Sequence, residues 1–148
     1  MKLYKHILTN KERLRLLKFA KTKVIDLGPN FPGLQSKPNF HTYKEMNILL
    51  DKIKKHYTEY KIDKCWANFS SGDYISWHSH PHNVPVSMIY FIKNPYNLGP
   101  FFKRDQFEVF VSKCPENSLI LFDSSLIHSV PCHLKADRYS IAFDLARK

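Results

Sequence analysis

The chain has 148 residues, 43% hydrophobic and 14% aromatic, enough to bury one compact core without disulfide or metal staples. With 11 Phe and 8 Tyr, the mixture favours sheet surfaces over helical bundles, so mostly strands are expected. Lys and Arg number 23 against 13 Asp and Glu, a net charge of +10 that keeps a polyanionic partner in view, although Lys52, Lys54, Lys55, Lys61 and Lys64 are spread as solvated helix and loop surfaces would spread them.

Cys65, Cys114 and Cys132 form no C-x-x-C pair, and their odd number argues against a closed disulfide framework and for a reducing compartment. The segment MKLYKHILTN is broken by charge too early for a signal-peptide core, and no apolar stretch reaches bilayer length. The expectation is a soluble, cytoplasmic, single-domain protein. The Lys, Ile, Asn and Tyr bias with only 4 Gly is that of an AT-rich genome; a viral one would place the protein in the host cytoplasm.

Along the chain, Thr9 and Glu12 stand at capping-box spacing ahead of Leu14, Leu17 and Phe19, which predicts a short amphipathic helix over 9–22. A short strand at Val24 to Leu27 precedes a loop marked by Gly28, Pro29, Pro32, Gly33 and Pro38. A second helix is predicted over 43–58, with Thr42 as cap, Glu45 three residues on, and Met46, Leu49, Leu50, Ile53 and Tyr57 on one face. From Lys64 onward the pattern becomes short β-rich runs: Cys65 to Phe69, Asp73 to His78, Val86 to Ile92, Gln106 to Ser112, Ser118 to Phe122, Ile127 to Val130 and Tyr139 to Leu145. Such runs, separated by turn residues, suggest a closed or sandwiched antiparallel sheet. Residues 94 to 105, with Pro95, Gly99 and Pro100, read as the longest loop of this region.

Alternation on a strand sends Tyr74, Ser76, His78 and His80 to one face and Ile75 and Trp77 to the other. Two imidazoles two residues apart can reach one metal, and His128 is the best candidate for a third ligand from another strand. Imidazole suits Fe, Zn, Cu and Ni alike, so the ligand type does not select the metal. A lone strand histidine is more often a hydrogen-bonded or surface residue, which is the reading for His6, His41 and His56. His82 follows Pro81 and is an alternative ligand, although the proline is expected to turn the strand away first, and His133 is assigned to a loop or to the surroundings of the site. Near the C-terminus, Arg138, Ser140 and Ala142 alternate with Tyr139, Ile141 and Phe143, giving a polar inner and a greasy outer face. An inward Arg is costly unless an anion meets it; Asp123 and Asp144 are the alternatives within the chain.

Together, Trp66-Ala-Asn68, Gly72-Asp-Tyr74, His78-x-His80-Pro81, Ser87-Met-Ile-Tyr90-Phe91, Phe122-x5-His128-Ser-Val-Pro131 and Arg138-x-Ser140 resemble the Fe(II)- and 2-oxoglutarate-dependent oxygenases, in the prolyl-hydroxylase-like branch that includes small bacterial and phage proteins. The resemblance covers about residues 64 to 145. It implies a mainly β double-stranded β-helix, a cupin-like jelly roll, over 64–145, with N-terminal helices of 1–60 packed on the outer sheet. It further implies Fe(II) held by His78, His80 and His128, and 2-oxoglutarate gripped through its far carboxylate by Arg138 with help from Ser140, Tyr74 and Asn68. Arg suits that task because its planar fork pairs with a carboxylate through two parallel charge-assisted bonds. The implied reaction consumes O2 and 2-oxoglutarate, hydroxylates a substrate and releases succinate and CO2. No side chain beyond the metal ligands need act as acid or base.

Three positions depart from the family pattern. His80 stands where most relatives carry Asp or Glu, making three neutral ligands; Phe91 replaces a frequent tyrosine, with Tyr74 or Ser140 as substitutes; Met88 replaces a small residue and is expected to narrow the pocket. Two other readings stay open. Gly72-x5-His78-x-His80 also opens a cupin pattern, although Asn83 and Val84 stand where a glutamate is expected. A non-enzymatic module binding peptide or nucleic acid through its basic surface would show steep salt dependence. The substrate, whether peptide, nucleic acid or small molecule, would meet loops near 28–40 and 94–105.

Overall fold

The computed structural model describes all residues except Asp73, Gln106, Phe107 and 132–135, and the backbone but not the side chains of Tyr74, Ile75 and Pro131. Its strands are β1 (Lys2–Tyr4), β2 (Leu34–Gln35), β3 (Tyr60–Ser70), β4 (Tyr74–His78), β5 (Val86–Lys93), β6 (Leu98–Lys103), β7 (Val109–Lys113), β8 (Ser118–Asp123), β9 (His128–Pro131) and β10 (Arg138–Arg147). They form two antiparallel sheets, of order β1-β8-β5-β10-β3-β2 and β4-β9-β6-β7. The β-rich runs expected after Lys64 coincide with β3, β4, β5, β7, β8, β9 and β10; β3 and β10 are longer than expected, β7 begins only at Val109, and Asp73, Gln106 and Phe107 of the expected runs lie outside the described residues.

Alternation along the larger sheet separates two cores. Met88, Tyr90, Ile92, Leu119, Leu121, Tyr139, Ile141, Phe143 and Leu145 pack against the N-terminal helices, whereas Ile89, Phe91, Ile120 and Phe122 meet Phe102 and Cys114 between the sheets. Each large apolar side chain so buried contributes about 1.5–3 kcal/mol.

The first helix, α1 (Asn10–Lys21), forms as expected. Thr9 Oγ1 accepts from Glu12 N–H at 3.1 Å and Glu12 Oε1 accepts from Thr9 N–H at 2.8 Å, while Leu16, Leu17 and Ala20 form its buried stripe. Arg13 ties it to the sheet, donating to the Ile92 carbonyl at 2.9 Å and facing Glu116 at 3.3 Å.

The second predicted helix is broken. Only α2 (Asn47–Ile53) is α-helical, flanked by 3-10 turns at Phe40–Thr42, Lys44–Met46 and Lys54–His56. Thr42 does not cap it: its hydroxyl donates to the Asn39 carbonyl at 2.7 Å. Tyr43 is extended, at φ −71° and ψ 139°, and packs edge-on against both Phe19 and Phe40. Aromatic packing thus overrides the 3.6-residue period.

The segment read as the longest loop contains β6. Gly99 has no room for a side chain, since a Cβ there would collide with Ser112 Oγ and Cys114 Sγ, and the register shifts between Leu98 and Phe101 around Pro100. Both residues mimic loop signals inside a strand. Val24 to Leu27 contributes only a bridge from Ile25 to Gln35, and β1 and β2 are too short to show alternation. Among the described residues no helix is long and apolar enough to cross a membrane.

Candidate metal centre

His78 ends β4 and His128 begins β9, and the two are cross-strand partners. Their rings lie 4.3 Å apart. A register shift between Ile75 and His78 interrupts the simple alternation: Ser76 is exposed, not inward, and its carbonyl accepts from His78 Nδ1 at 2.8 Å. His80 lies beyond the strand, placed by its own N–H donating to the Ser124 carbonyl at 2.9 Å. Its ring is 5.3 Å from His78 and stacks parallel to His128 at 5.2 Å. One nitrogen from each of the three falls within 4.8 Å of the others.

Each Nδ1 faces a protein oxygen. His78 meets Ser76, His128 donates to the Leu126 carbonyl at 2.7 Å, and His80 faces Asp144 Oδ1 at 3.4 Å. Protons held on Nδ1 leave the Nε2 lone pairs for an ion. His128 is 3% exposed against Phe122 and Phe102, at 5.0 and 6.2 Å; burial pushes its pKa down to about 4, so it is neutral at pH 7 and competent as a ligand. Burial also lowers His80 and raises Asp144, each against the pull of the other's charge, and we take desolvation as the larger influence on both. Coordination at about 2.1 Å would bring the three nitrogens closer together than the 4.8 Å that bounds them here. The donor set therefore fits a divalent transition metal.

A cavity of about 250 Å³ adjoins the three imidazoles, and Arg138, Ser140, Asn68 and Asp144 line it with them. Inward-facing Arg138 is 6% exposed, its guanidinium 5.0 Å over the ring of fully buried Phe91. Asn68 and Phe91 are the strand partners of Ser140, and Asn68 Oδ1 accepts from Gln35 Nε2 at 2.8 Å. Of the two carboxylates considered as partners for Arg138, Asp123 accepts from Ser125 N–H and Oγ at 2.9 and 2.7 Å, and Asp144 faces His80 at 3.4 Å.

Of the other expectations, the side chain of Tyr74 and all of His133 lie outside the described residues. His82 is exposed, and His56 stacks on Tyr4 at 3.7 Å. Met88 belongs to the core under the helices and also lines the cavity, as does its neighbour Ile89, whose side chain packs between the sheets. Phe31, Pro32, Leu34 and Gln35 border the cavity, as expected of the 28–40 loop, whereas no residue of 94–105 does. Sequence reasoning missed Asp144 as a neighbour of His80, although the parity of Arg138, Ser140 and Ala142 carries it to the same face. It also missed Ser87, whose buried Oγ has no hydrogen-bond partner and which lines the cavity.

No family model matches the chain, and no curated protein matches it in sequence. Solved structures do. HygX from Streptomyces hygroscopicus, with nickel and 2-oxoglutarate bound, is 10% identical over 99% of this chain and 82% of its own, with a TM-score of 0.77. The viral collagen prolyl hydroxylase of Paramecium bursaria Chlorella virus 1, in complex with 2-oxoglutarate, is 14% identical over 99% of this chain and 95% of its own, with a TM-score of 0.72. A 2-oxoglutarate-Fe(II) oxygenase family member from Burkholderia pseudomallei is 13% identical over 96% and 81%, with a TM-score of 0.67. Likeness at such identity is likeness of fold: the chain has the double-stranded β-helix seen in the 2-oxoglutarate- and Fe(II)-dependent oxygenases, prolyl hydroxylases among them.

Proposed function

We propose that the protein is an Fe(II)- and 2-oxoglutarate-dependent oxygenase that hydroxylates a substrate, a protein prolyl or other side chain being the leading class, with release of succinate and CO2. One observation carries the reading: a single cavity holds three imidazoles with their Nδ1 atoms engaged and, six residues along β10 from the Asp144 beside them, a buried arginine. The 2-oxoglutarate bound in two structural neighbours supports it.

In this reading His78, His80 and His128 would hold Fe(II). Arg138 pairs with the far carboxylate of 2-oxoglutarate, with the Phe91 ring beneath its guanidinium as a support that does not compete for its N–H groups. The Ser140 hydroxyl and the Asn68 amide add hydrogen bonds from the neighbouring strand positions. Phe102, Phe122 and Ile89 keep water from the ligands. When bound, Fe(II) would activate O2, the oxidant, whose two atoms end in succinate, formed as 2-oxoglutarate loses CO2, and in the hydroxylated substrate.

The test combines binding and turnover. Anaerobic Fe(II) with 2-oxoglutarate should give a weak visible charge-transfer band, and candidate peptides and nucleic acids should raise succinate formation under Fe(II), ascorbate and air. Arg138→Ala should weaken 2-oxoglutarate binding about 10- to 100-fold, the worth of a charged hydrogen-bonded pair. Unchanged affinity in that variant removes the assigned anchor, and turnover without any keto acid transfers the site to the cupin-type reading.

A further inference from the structure

Iron sites that activate O2 commonly take two histidines and one carboxylate, so the dication is partly neutralised by its own ligands. A set of three neutral imidazoles leaves the charge uncompensated inside a cavity walled by Ile89, Phe122 and Ala142. Among the described residues lining that cavity, Asp144 is the only acid. It is 7% exposed, and its Oδ1 lies 3.4 Å from His80 Nδ1. The other two imidazoles rest on backbone carbonyls. A buried carboxylate is costly unless a positive charge meets it. Lys64, its partner on β3, is exposed, while Ser87, its partner on β5, offers only a neutral hydroxyl.

Resting on the oxygenase reading, we infer that Asp144 is the carboxylate of this metal site, displaced one shell outward: it receives the Nδ1 proton of His80, fixes His80 Nε2 on the ion and supplies the negative charge that residue 80 lacks. It is a positioning residue, acting on the metal through an imidazole. Outer carboxylates of this kind raise the basicity of their histidine, and their loss typically weakens metal binding 10- to 100-fold. Asp144 lies within β10, paired to Lys64 on β3 and Ser87 on β5 just before a register shift against β3, whereas His80 lies outside any strand and has greater need of a fixed partner.

A double-mutant cycle read by Co(II) binding tests this, with chelator competition for affinity and the visible spectrum for coordination. Asp144→Asn is nearly isosteric and should weaken Co(II) binding 10- to 100-fold. In the His80→Asp background the carboxylate is back on the metal, and Asp144→Asn should change affinity by less than about threefold, the non-additivity expected of coupled sites. Equal losses in both backgrounds, or affinity within twofold of wild type in the His80 background, overturn the inference. Nitrogen-15 shifts of His80 in the wild-type protein give a readout free of any folding defect in the variants: the proton is expected on Nδ1 and the metal on Nε2, and the reverse overturns the inference. If wild type binds no Co(II), or His128→Ala binds it as well as wild type, the three-imidazole centre itself fails and this inference with it.

Discussion

β10 and β4 both aim side chains at the cavity, yet they are held very differently. β10 runs ten residues through the middle of the larger sheet, paired to β3 on one side and β5 on the other. Its outward residues Tyr139, Ile141, Phe143 and Leu145 are 0–8% exposed under the helices. β4 is five residues long, sits at the edge of the smaller sheet, and carries a register shift just before His78. The contrast teaches that the proposed cosubstrate anchor is fixed by the core before anything binds, while the proposed metal ligands lie on the short edge strand β4, its neighbour β9 and the segment beyond β4, which an ion would tie together. Metal should therefore stiffen β4 and β9 far more than β10.

The largest expected effect follows from that contrast. His128→Ala removes one of the three proposed ligands and should weaken Co(II) or Fe(II) binding by about 10³-fold, roughly 4 kcal/mol. Hydrogen exchange should show metal-dependent protection of β4 and β9 in wild type and none in the variant, with β10 protected in both. Equal protection of all three strands without metal would erase the distinction between the sheets.

Next in size is a change on the outer face of β10. Ile141 is fully buried beneath the helices, and Ile141→Ala should cost about 2–5 kcal/mol of folding stability in urea. Because the residue faces away from the cavity, metal affinity of the protein that remains folded should hold. A tenfold loss of that affinity would mean that the larger sheet's core also sets the ligand geometry.

The same contrast explains what the sequence revealed. β10 was legible because a long central strand with one greasy and one polar face alternates from Arg138 to Asp144 despite register shifts at Tyr139/Ser140 and Asp144/Leu145, and that alternation also carried Arg138 and Ser140 inward. The three histidines were legible as a set from their spacing and the resemblance, but the path between them was not. The shift before His78 and the reach of His80 to the Ser124 carbonyl are edge irregularities that break the alternation used to find the pair. β6 was hidden by Gly99 and Pro100, whose loop signal here marks close packing and a register shift. The second helix was expected but its break was not legible, because the place of Tyr43 depends on contacts with Phe19, far off in sequence. Asp144 had the right parity, yet only tertiary placement could reveal that it meets His80.

The smallest expected effect compares the two cores through their thiols. Cys65 lies in the helix-side core and Cys114 between the sheets, both fully buried. Burial raises both, Cys65 well above its ordinary value and Cys114 to about 11, where the Ser112 hydroxyl and the charge of Arg138 pull it partly back. An unfolded thiol ionises near 9. The folded chain thus keeps its Cys114 proton between pH 9 and about 11 while the unfolded chain gives it up. Stability from this group is complete below pH 9 and is lost as pH rises through the folded value, by on the order of 2 kcal/mol. Urea midpoints measured from pH 8 to 11 should fall less steeply in Cys114→Ala than in wild type, and less steeply again in Cys65→Ala, whose thiol stays protonated further. A Cys114→Ala slope equal to that of wild type, with Cys65→Ala still flattened, would mean that water reaches the space between the sheets, and that the polar face of β10 looks into a solvated interior.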